Sequence, residues 1–345
     1  MSGTCTVGEI TLIDEASPTS NGVAQDRRRR WGSPTLHYLG RRLASAIPVL
    51  VGVIVVTFLL LRLVPGSPAR EVLGIHAPQR AVNALTHKLG LDQPIWLQFW
   101  HYLDGLFHAN LGASIYYHSP VVSLISTRIG LTAALVSLAS FFAVIITVPL
   151  AALAATHQNR ASDHAVRVVS LFGLGMPSFW LGIVLGIIFG LHLHWFPVGG
   201  QGSGFWGTVH ALILPALCAA LAIAPVLIRS LRVGMLDVLS ADYIATARAK
   251  GLRHWRVTLA HVVRNALIPS VTLLAVNIAY LIGGTVVIEQ VFDLNGLGSL
   301  MLNSIGNRDF PVIQGVTLVY ALAVIVVILI SDLVTARLDP RIRLR

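Results

Sequence analysis

The chain has two lysines, and neither stands where a nucleotide-binding loop would need it. Lys88 is followed by Leu89 and Lys250 by Gly251, whereas a phosphate loop of the Gly-x4-Gly-Lys-Ser/Thr type needs a hydroxyl residue directly after its lysine. The Gly-x-Ser-x-Gly turn of serine hydrolases and the His-Glu-x-x-His of zinc proteases are also missing from the sequence. We therefore expect no catalytic residue, no metal site and no cofactor in this chain.

Ionisable side chains are sparse in the apolar stretches and lie near their ends. Arg229 and Arg232 end one stretch, Glu289 lies near the end of another, and Asp332 near the end of the last. A proton relay needs an ionisable residue near the middle of the membrane. The middles instead carry neutral polar groups such as Asn277, Tyr280 and Thr285. The sequence does not favour proton-coupled transport.

A polar insert at residues 242–251, Asp-Tyr-Ile-Ala-Thr-Ala-Arg-Ala-Lys-Gly, separates two apolar stretches. Ser240 or Asp242 suits a helix N-cap, the next residues are good helix formers, and Gly251 suits the left-handed position after the last turn. Alternating alanines cover the backbone thinly, which lets another surface approach closely. A helix of this kind docks either on anionic lipid or on a partner protein, and its residues alone leave both readings open.

Residues 255–267 follow this insert with apolar side chains at helical spacing and arginines between them. The apolar side chains are those of Trp255, Leu259, Val262, Val263 and Leu267. The pattern predicts an amphipathic helix that leads into the next span.

Transmembrane helices must position these segments. Of the 345 residues, 55% are hydrophobic and 12% charged, with mean hydropathy +0.74, which excludes a soluble globular protein and gives a nucleic-acid partner no support despite the net charge of +10. A spanning helix needs about 20 apolar residues. Six stretches qualify: 43–64, 129–155, 168–195, 211–231, 268–288 and 316–335. The sequence predicts an all-α integral membrane protein with six transmembrane helices.

Basic residues set the orientation of these helices. Most of the 25 Lys and Arg residues fall on one side of the membrane when the N-terminus is placed inside. Cytoplasmic loops carry such an excess of positive charge. Both termini are therefore predicted to be cytoplasmic.

The spans divide the chain into four parts. Residues 1–42 are polar, include Arg27 to Arg30, and are predicted to be a disordered basic cytoplasmic tail before the first span at 43–64. Residues 65–127 form an outer subdomain whose aromatic side chains suit the membrane interface. This subdomain either stabilises the outer mouth or docks an external substrate carrier. Residues 128–345 hold five spans and a loop, 232–267, that contains the polar insert.

Several motifs give the chain a family resemblance. The insert, extended to Leu252 and followed by Arg264-Asn-Ala-Leu-Ile-Pro269, resembles the cytoplasmic coupling loop of ATP-binding-cassette importer permeases, in the form found in the dipeptide, oligopeptide and nickel branch. Further segments resemble that branch in the same order: Pro65-Gly-Ser-Pro-Ala69, Leu89-Gly-Leu-Asp-Gln-Pro94, Pro177-Ser-Phe-Trp-Leu-Gly182, Glu289 to Gly298, Arg308-Asp-Phe-Pro311 with Gln314-Gly315, and Leu338-Asp-Pro-Arg-Ile-Arg343. The long segment after the first span resembles the first of the two permease subunits.

This resemblance implies the type I importer permease fold and a transport function in a prokaryotic inner membrane. The implied activity is ATP-driven import of dipeptides and oligopeptides. The implied partners are a second, homologous permease that forms a heterodimer, two ATP-binding subunits or one fused ATPase that bind ATP and Mg²⁺, an extracytoplasmic substrate-binding protein, and membrane lipid. The implied ATPase-coupling residues are Asp242, Tyr243, Ala245, Thr246, Ala247, Arg248, Ala249, Lys250 and Gly251. Candidates for the translocation path, which could equally be packing residues, are Met176, Phe179, Trp180, Asn277 and Tyr280.

One departure from the family pattern concerns the coupling motif. The family has Glu where this chain has Ala245; if that carboxylate meets an arginine on the ATPase, this chain must use Asp242 or backbone contacts instead. The substrate stays open within the family, because nickel, glutathione or haem would suit the same motifs. A motor-independent channel or secondary carrier is the alternative from a different class.

Overall fold

The computed structural model describes residues 33–338 apart from 64–69, 71–72, 75, 89 and 91. Residues 1–32 of the predicted tail, and the motifs at 65–69 and 339–343, lie outside this part of the chain. Regular structure in the described part is helical, with one isolated antiparallel bridge between Ala113 and Pro120. The all-α prediction is confirmed.

Eleven helices that we label α1 to α11 organise the described residues. They are α1 Ser33–Leu63, α2 Gln79–Lys88, α3 Ile95–Phe107, α4 Val121–Thr156, α5 Ala161–Gly175, α6 Ser178–Leu185, α7 Gly204–Leu239, α8 Asp242–Ala249, α9 Arg264–Val291, α10 Leu297–Gly306 and α11 Phe310–Leu338. Two π-helical segments extend this set, Gly186–His192 after α6 and Val257–Val263 before α9, the latter preceded by the short helix His254–Arg256.

Five helical segments of the described chain are long and apolar enough to cross a membrane, or six if the bent pair α5–α6 counts as one span. The five are Gly40–Leu59, Val121–Thr156, Gly204–Leu239, Val257–Val291 and Phe310–Leu338. Each overlaps a predicted span, and most run beyond it at both ends. The extensions are polar or amphipathic turns that a search for apolar residues does not detect.

The third predicted span, 168–195, is not one straight helix. It comprises the second part of α5, all of α6 and the π segment that follows α6, and the axes of Ala161–Gly175 and Ser178–His192 meet at 107°. The cause lies at Met176 and Pro177: proline has no N–H to continue the helix and its ring excludes the helical conformation at the preceding residue. Met176 accordingly has φ −85° and ψ 124°.

Helix α1 begins at Ser33 rather than at residue 43, so residues 33–42, which the prediction assigned to the tail, are helical. Arg42 explains part of this extension, because its Nε lies 2.8 Å from Oδ2 of Asp332 on α11. This ion pair fixes the first helix against the last. The predicted boundary was set by hydropathy, which ends at the polar residues and carries no information about a partner on a distant helix.

Helices α4 and α7 form the centre of the molecule and pack along each other. Their shared surface is rich in buried small residues, namely Ala139, Ala143, Ala151, Ala154, Ala216, Ala219, Ala220 and Ala224. Small side chains allow the two backbones to approach closely, the usual way to join helices in a membrane. Each helix has 36 residues and is thus roughly 54 Å long, against about 30 Å of hydrocarbon. Their ends therefore project beyond the apolar layer.

The carboxylate of Glu289 joins α4, α9 and α10. It is fully buried, accepts a hydrogen bond of 2.7 Å from Thr132 Oγ1, and accepts another of 2.9 Å from the Ser299 N–H. Thr132 Oγ1 in turn accepts the Leu297 N–H at 2.8 Å. These bonds satisfy N–H groups of the first turn of α10, where a negative charge is favourable. Glu289, expected from the sequence to lie at a span end, is thus a cap for another helix.

A second buried carboxylate, that of Asp309, holds the segment before α4. Its Oδ2 accepts the Ser114 hydroxyl at 2.5 Å and the Tyr116 N–H at 3.2 Å, and its Oδ1 accepts the Ile115 N–H at 3.2 Å. The Tyr117 N–H then donates to Ser114 Oγ at 2.7 Å. The Arg-Asp-Phe-Pro motif therefore fastens the segment before α4 to the start of α11.

Aromatic side chains attach α3 to α1. Phe58 is buried, with its ring centroid 5.2 Å from that of Phe99 and 6.0 Å from that of Tyr102. Burial raises the pKa of Tyr102 to about 12. Trp96 and Trp100, by contrast, are exposed on the opposite side of α3, as expected for a helix at the membrane interface.

The contact between α10 and α9 gives a prediction about Gly298. A Cβ at this position would lie 2.6 Å from the Cα of Val286 and 3.0 Å from Glu289 Oε2. We expect Gly298→Ala to destabilise the protein by about 1–3 kcal/mol, since the backbone must shift. The measurement is the thermal midpoint of the detergent-purified protein.

Gly283→Ala is the matched control, because a Cβ there meets nothing within 4 Å. Gly283 lies on α9, the helix that Gly298 contacts, and its substitution is expected to leave the midpoint unchanged or slightly raised. Equal midpoints for the two variants would show that α10 does not pack against α9 as described.

Candidate coupling site

The polar insert folds as helix α8, and its start differs from the predicted one. The N-cap residue is Ala241, without a side-chain hydrogen bond, and Asp242 is the first helical residue. The Ser240 hydroxyl donates to the carbonyl of Asp237 at 2.8 Å. The prediction of Ser240 or Asp242 as N-cap is therefore wrong, although Asp242 still supplies a negative charge to the first turn, where the helix dipole favours it.

The end of α8 is the one predicted. Gly251 has φ +76°, its N–H donates to Arg248 O at 2.9 Å, and the Leu252 N–H donates to Ala247 O at 3.4 Å. These two bonds form a Schellman motif, which requires a left-handed residue after the helix. Glycine occupies that conformation without steric strain.

Ile244 anchors α8 on the rest of the protein. Its side chain has no exposed surface and belongs to a buried cluster with residues of α4, α7 and the π segment, including Ala155, Met235, Val257 and Val262. Ala247 packs against the same cluster. The opposite side of α8 is exposed and consists of Asp242, Tyr243, Ala245, Thr246, Arg248, Ala249 and Lys250. Of the expected coupling residues, Ala247 thus faces its own chain and Ala245 faces outward.

A hydrogen bond connects α8 to the span that follows it. The Asn265 amide donates to the hydroxyl of Tyr243 at 3.1 Å. Asn265 lies in the first turn of α9. Tyr243 therefore adds a polar contact between α8 and α9 to the apolar contacts of the Ile244 cluster.

The predicted amphipathic helix at 255–267 is divided by the π segment. Val262 and Val263 are buried as expected, but Trp255 and Leu259 are each 56% exposed. A π turn bonds residue i to i+5 rather than i+4, so side chains spaced for one α-helical face point to different sides. The prediction of a single apolar face is wrong for Trp255 and Leu259.

An ion pair fixes α5 to α7 near this site. Asp163 is fully buried and accepts bonds from Arg232 Nε to Oδ1 at 2.7 Å and from Arg232 Nη2 to Oδ2 at 2.8 Å. The Asn159 N–H donates to Oδ2 at 2.9 Å, and Arg167 Nη2 lies 3.5 Å from the same oxygen. This bidentate pair holds the α4–α5 turn against the end of α7.

Beside α8 the α4–α5 turn and the end of α7 enclose a polar pocket of about 380 Å³. Its polar lining comes from Thr156, His157, Gln158, Arg160, Ser240 and Arg248, and the apolar remainder from Ala155, Leu236 and Leu239. We call it the cationic pocket. The sequence did not reveal this pocket because its two arginines are far apart in the chain. It did not reveal the role of Asp163 either, since the only signal was a lone acid in a basic loop.

The candidates for the translocation path fall into two groups. Met176, Phe179 and Trp180 are exposed at the bend between α5 and α6, and Tyr280 is 79% exposed on α9. Asn277 is half-buried and donates to the Leu273 carbonyl at 2.8 Å. Helices α6 and α9 meet elsewhere, where a Cβ on Gly182 would lie 3.1 Å from Val291. Within the described residues, no group of three or more His, Cys, Asp or Glu side chains could hold a metal ion.

Comparison with known proteins finds matches over nearly the whole chain. Residues 147–344 match the family model described as binding-protein-dependent transport system inner membrane component, and residues 35–139 match the model for the N-terminal part of such membrane components. The chain is 38% identical to the glutathione transport system permease protein GsiC of Escherichia coli strain K12 over 308 residues, 89% of this chain and 99% of that protein. The GsiC proteins of Salmonella typhi and Salmonella choleraesuis match with the same identity and coverage.

The anchoring role of Ile244 can be tested by proteolysis. Ile244→Ala removes a fully buried side chain, at a cost of about 2–5 kcal/mol to the docking of α8. We expect trypsin to cut at Arg248 and Lys250 about tenfold faster or more, measured by mass spectrometry of detergent-purified protein.

Thr246→Ala is the control for this experiment. Thr246 is exposed and its hydroxyl bonds only within α8, to the Asp242 carbonyl at 3.1 Å. Its cleavage rate should stay near that of the unaltered chain. Similar rates for both variants would mean that Ile244 does not hold the helix.

Proposed function

Because the chain belongs to the family of binding-protein-dependent transport system inner membrane components, and is thus a permease component of an ATP-binding-cassette importer, we propose that it imports short peptides, glutathione among them. The observation that carries the substrate proposal is the match to GsiC, a glutathione permease by name, over 99% of its length. Glutathione is a tripeptide. In the sequence-based interpretation glutathione was an alternative to the dipeptides and oligopeptides that the resemblance implies, and the match favours that alternative.

The proposed complex pairs this chain with a second, homologous permease. A continuous exposed apolar surface on α5 and α6 supports this arrangement, with Val169, Leu171 and Phe172 each more than 60% exposed. Such a surface at the bend lies against lipid or against another subunit. We propose that the second permease covers part of it, and that Met176, Phe179 and Trp180 line the path between the two subunits, together with Asn277 and Tyr280 across from them.

The exposed side of α8 is the proposed contact with the ATPase subunits, which would bind ATP and Mg²⁺. Two features support this role. The thinly covered face at Ala245 and Ala249 is exposed, and the opposite face is locked to α4 and α7 through Ile244. Force applied to α8 is therefore transmitted to the central helices instead of bending a loop. A change in ATPase separation could then shift the populations of inward- and outward-open states.

The end of α8 provides a test of coupling. Gly251→Val puts a β-branched residue at φ +76°, which costs about 1–2 kcal/mol or more in the left-handed region. We expect membrane insertion to persist and substrate-stimulated ATP hydrolysis of the assembled complex to fall severalfold.

Gly251→Asn is the matched control, because asparagine tolerates the left-handed conformation. It should retain most of the stimulation. Full stimulation in the valine variant would remove α8 from the coupling mechanism.

The substrate class can be read from the binding protein that accompanies this permease. We expect mass spectrometry of the co-purified binding protein to find a short peptide of the glutathione type, and proteoliposomes to take up labelled glutathione only with ATP. A retained nickel ion or haem would contradict the peptide proposal. Uptake by this chain without an ATPase would contradict the importer mechanism and support a channel or carrier.

A further inference from the structure

We infer that the cationic pocket, lined by Arg160 and Arg248, receives an acidic side chain of the ATPase subunit when α8 docks. The inference rests on the proposed function, since it requires an ATPase partner. It predicts that the ATPase surface in contact with α8 carries at least one Asp or Glu. In a permease that carries Glu at the position of Ala245, the permease would supply the acid of the docking ion pair. Here the permease would supply the arginine and the ATPase the acid.

The pocket is large enough, and its lining polar enough, to bind a carboxylate side chain. Its volume of about 380 Å³ exceeds the space that a carboxylate side chain needs. Arg160 comes from the α4–α5 turn and Arg248 from the last turn of α8, and His157, Gln158 and Ser240 add hydrogen-bonding groups. Both arginines are exposed. Among the described residues, neither forms an ion pair with an acid of this chain.

Contacts within this chain position the residues that line the pocket. Asn159 has φ 60° and gives its N–H to Asp163, which Arg232 clamps to α7. The turn that carries Arg160 is therefore fixed relative to Ser240. On the other side, Arg248 belongs to the Schellman end of α8, whose orientation is set by the burial of Ile244. A preformed site binds with less loss of conformational entropy than a flexible one.

The position of the pocket favours a protein guest over a lipid headgroup. The first charged residues of α7 are Arg229 and Arg232. The pocket residues Leu236, Leu239 and Ser240 lie about 10 Å further along the axis at 1.5 Å per residue. Asp163, paired with Arg232, adds a further charged group at that point of the helix. The pocket thus lies past the first charged residues of α7 and next to α8, where the ATPase would dock.

The surrounding charges match an acidic partner. Lys250, Arg253 and Arg256 are exposed next to α8, and the acids on this surface are Asp237 and Asp242. Ala245 contributes no carboxylate, so the exposed side of the site is dominated by positive charge. Complementary potentials of this kind set specificity and speed association. An arginine-rich partner surface, which would suit a Glu at position 245, would be repelled here.

The test uses the complete transporter, with this full-length chain, its second permease, its ATPase subunits and its binding protein produced together and reconstituted in phosphatidylcholine nanodiscs. We expect Arg160→Glu and Arg248→Glu each to lower substrate-stimulated ATP hydrolysis and ATPase recovery about tenfold or more, and Arg160→Lys and Arg248→Lys to keep most of both. Arg337→Glu, an exposed charge at the end of α11 outside the pocket, is the matched control and should resemble the unaltered complex.

The lysine variants also allow a direct readout, because a carbodiimide joins an amine to a carboxylate in contact with it. We expect Lys at position 160 or 248 to be cross-linked to an Asp or Glu of the ATPase, mapped by mass spectrometry. A cross-link only to acids of the permeases would overturn the inference. Full activity of the glutamate variants would also overturn it. A defect that appears in phosphatidylglycerol vesicles and not in phosphatidylcholine would overturn it too, since the pocket would then bind lipid. If no ATPase accompanies the unaltered chain, the proposed function fails and the inference with it.

Discussion

The ion pair between Asp163 and Arg232 is the interaction on which the α8 end of the molecule depends. A carboxylate without exposed surface must be paired and hydrogen-bonded to remain charged. Here one side chain satisfies three requirements at once: it starts α5, holds the α4–α5 turn through Asn159, and joins both to α7. Two walls of the cationic pocket, the α4–α5 turn and the end of α7, are therefore joined to each other beside the cluster that buries Ile244.

Hydropathy and local backbone chemistry account for what the sequence predicts well. The five long spans and the bent pair α5–α6 follow from the lengths of the apolar stretches, because an apolar segment in lipid must satisfy its own backbone hydrogen bonds, which a helix does. The left-handed conformation of Gly251 follows from a run of helix formers ending in glycine. Such signals are local, and the structure agrees with them to within a few turns at each end.

The remaining features depend on partners far away in the chain, which local patterns do not reveal. The proline at position 177 indicates a bend, but the proline alone does not give its size of 107°. Both α5 and α6 pack against α7, which lies far away in the chain. Ile244 looks like an ordinary residue in a polar insert until the cluster that buries it is assembled. The roles of Asp163, Glu289 and Asp309 are of the same kind, since each carboxylate binds groups on another element.

The bond between Ser114 and Asp309 has a consequence for how the protein is made. Its two ends are 195 residues apart, and ribosomes add about 5–20 residues per second. Roughly 10 to 40 seconds therefore pass between synthesis of Ser114 and synthesis of the Asp309 carboxylate that binds it. During that interval α3 has its aromatic partner on α1, but the segment around Ser114 has left the ribosome without its attachment. Synthesis of residues 309–338 then supplies the partners of both Ser114 and Arg42.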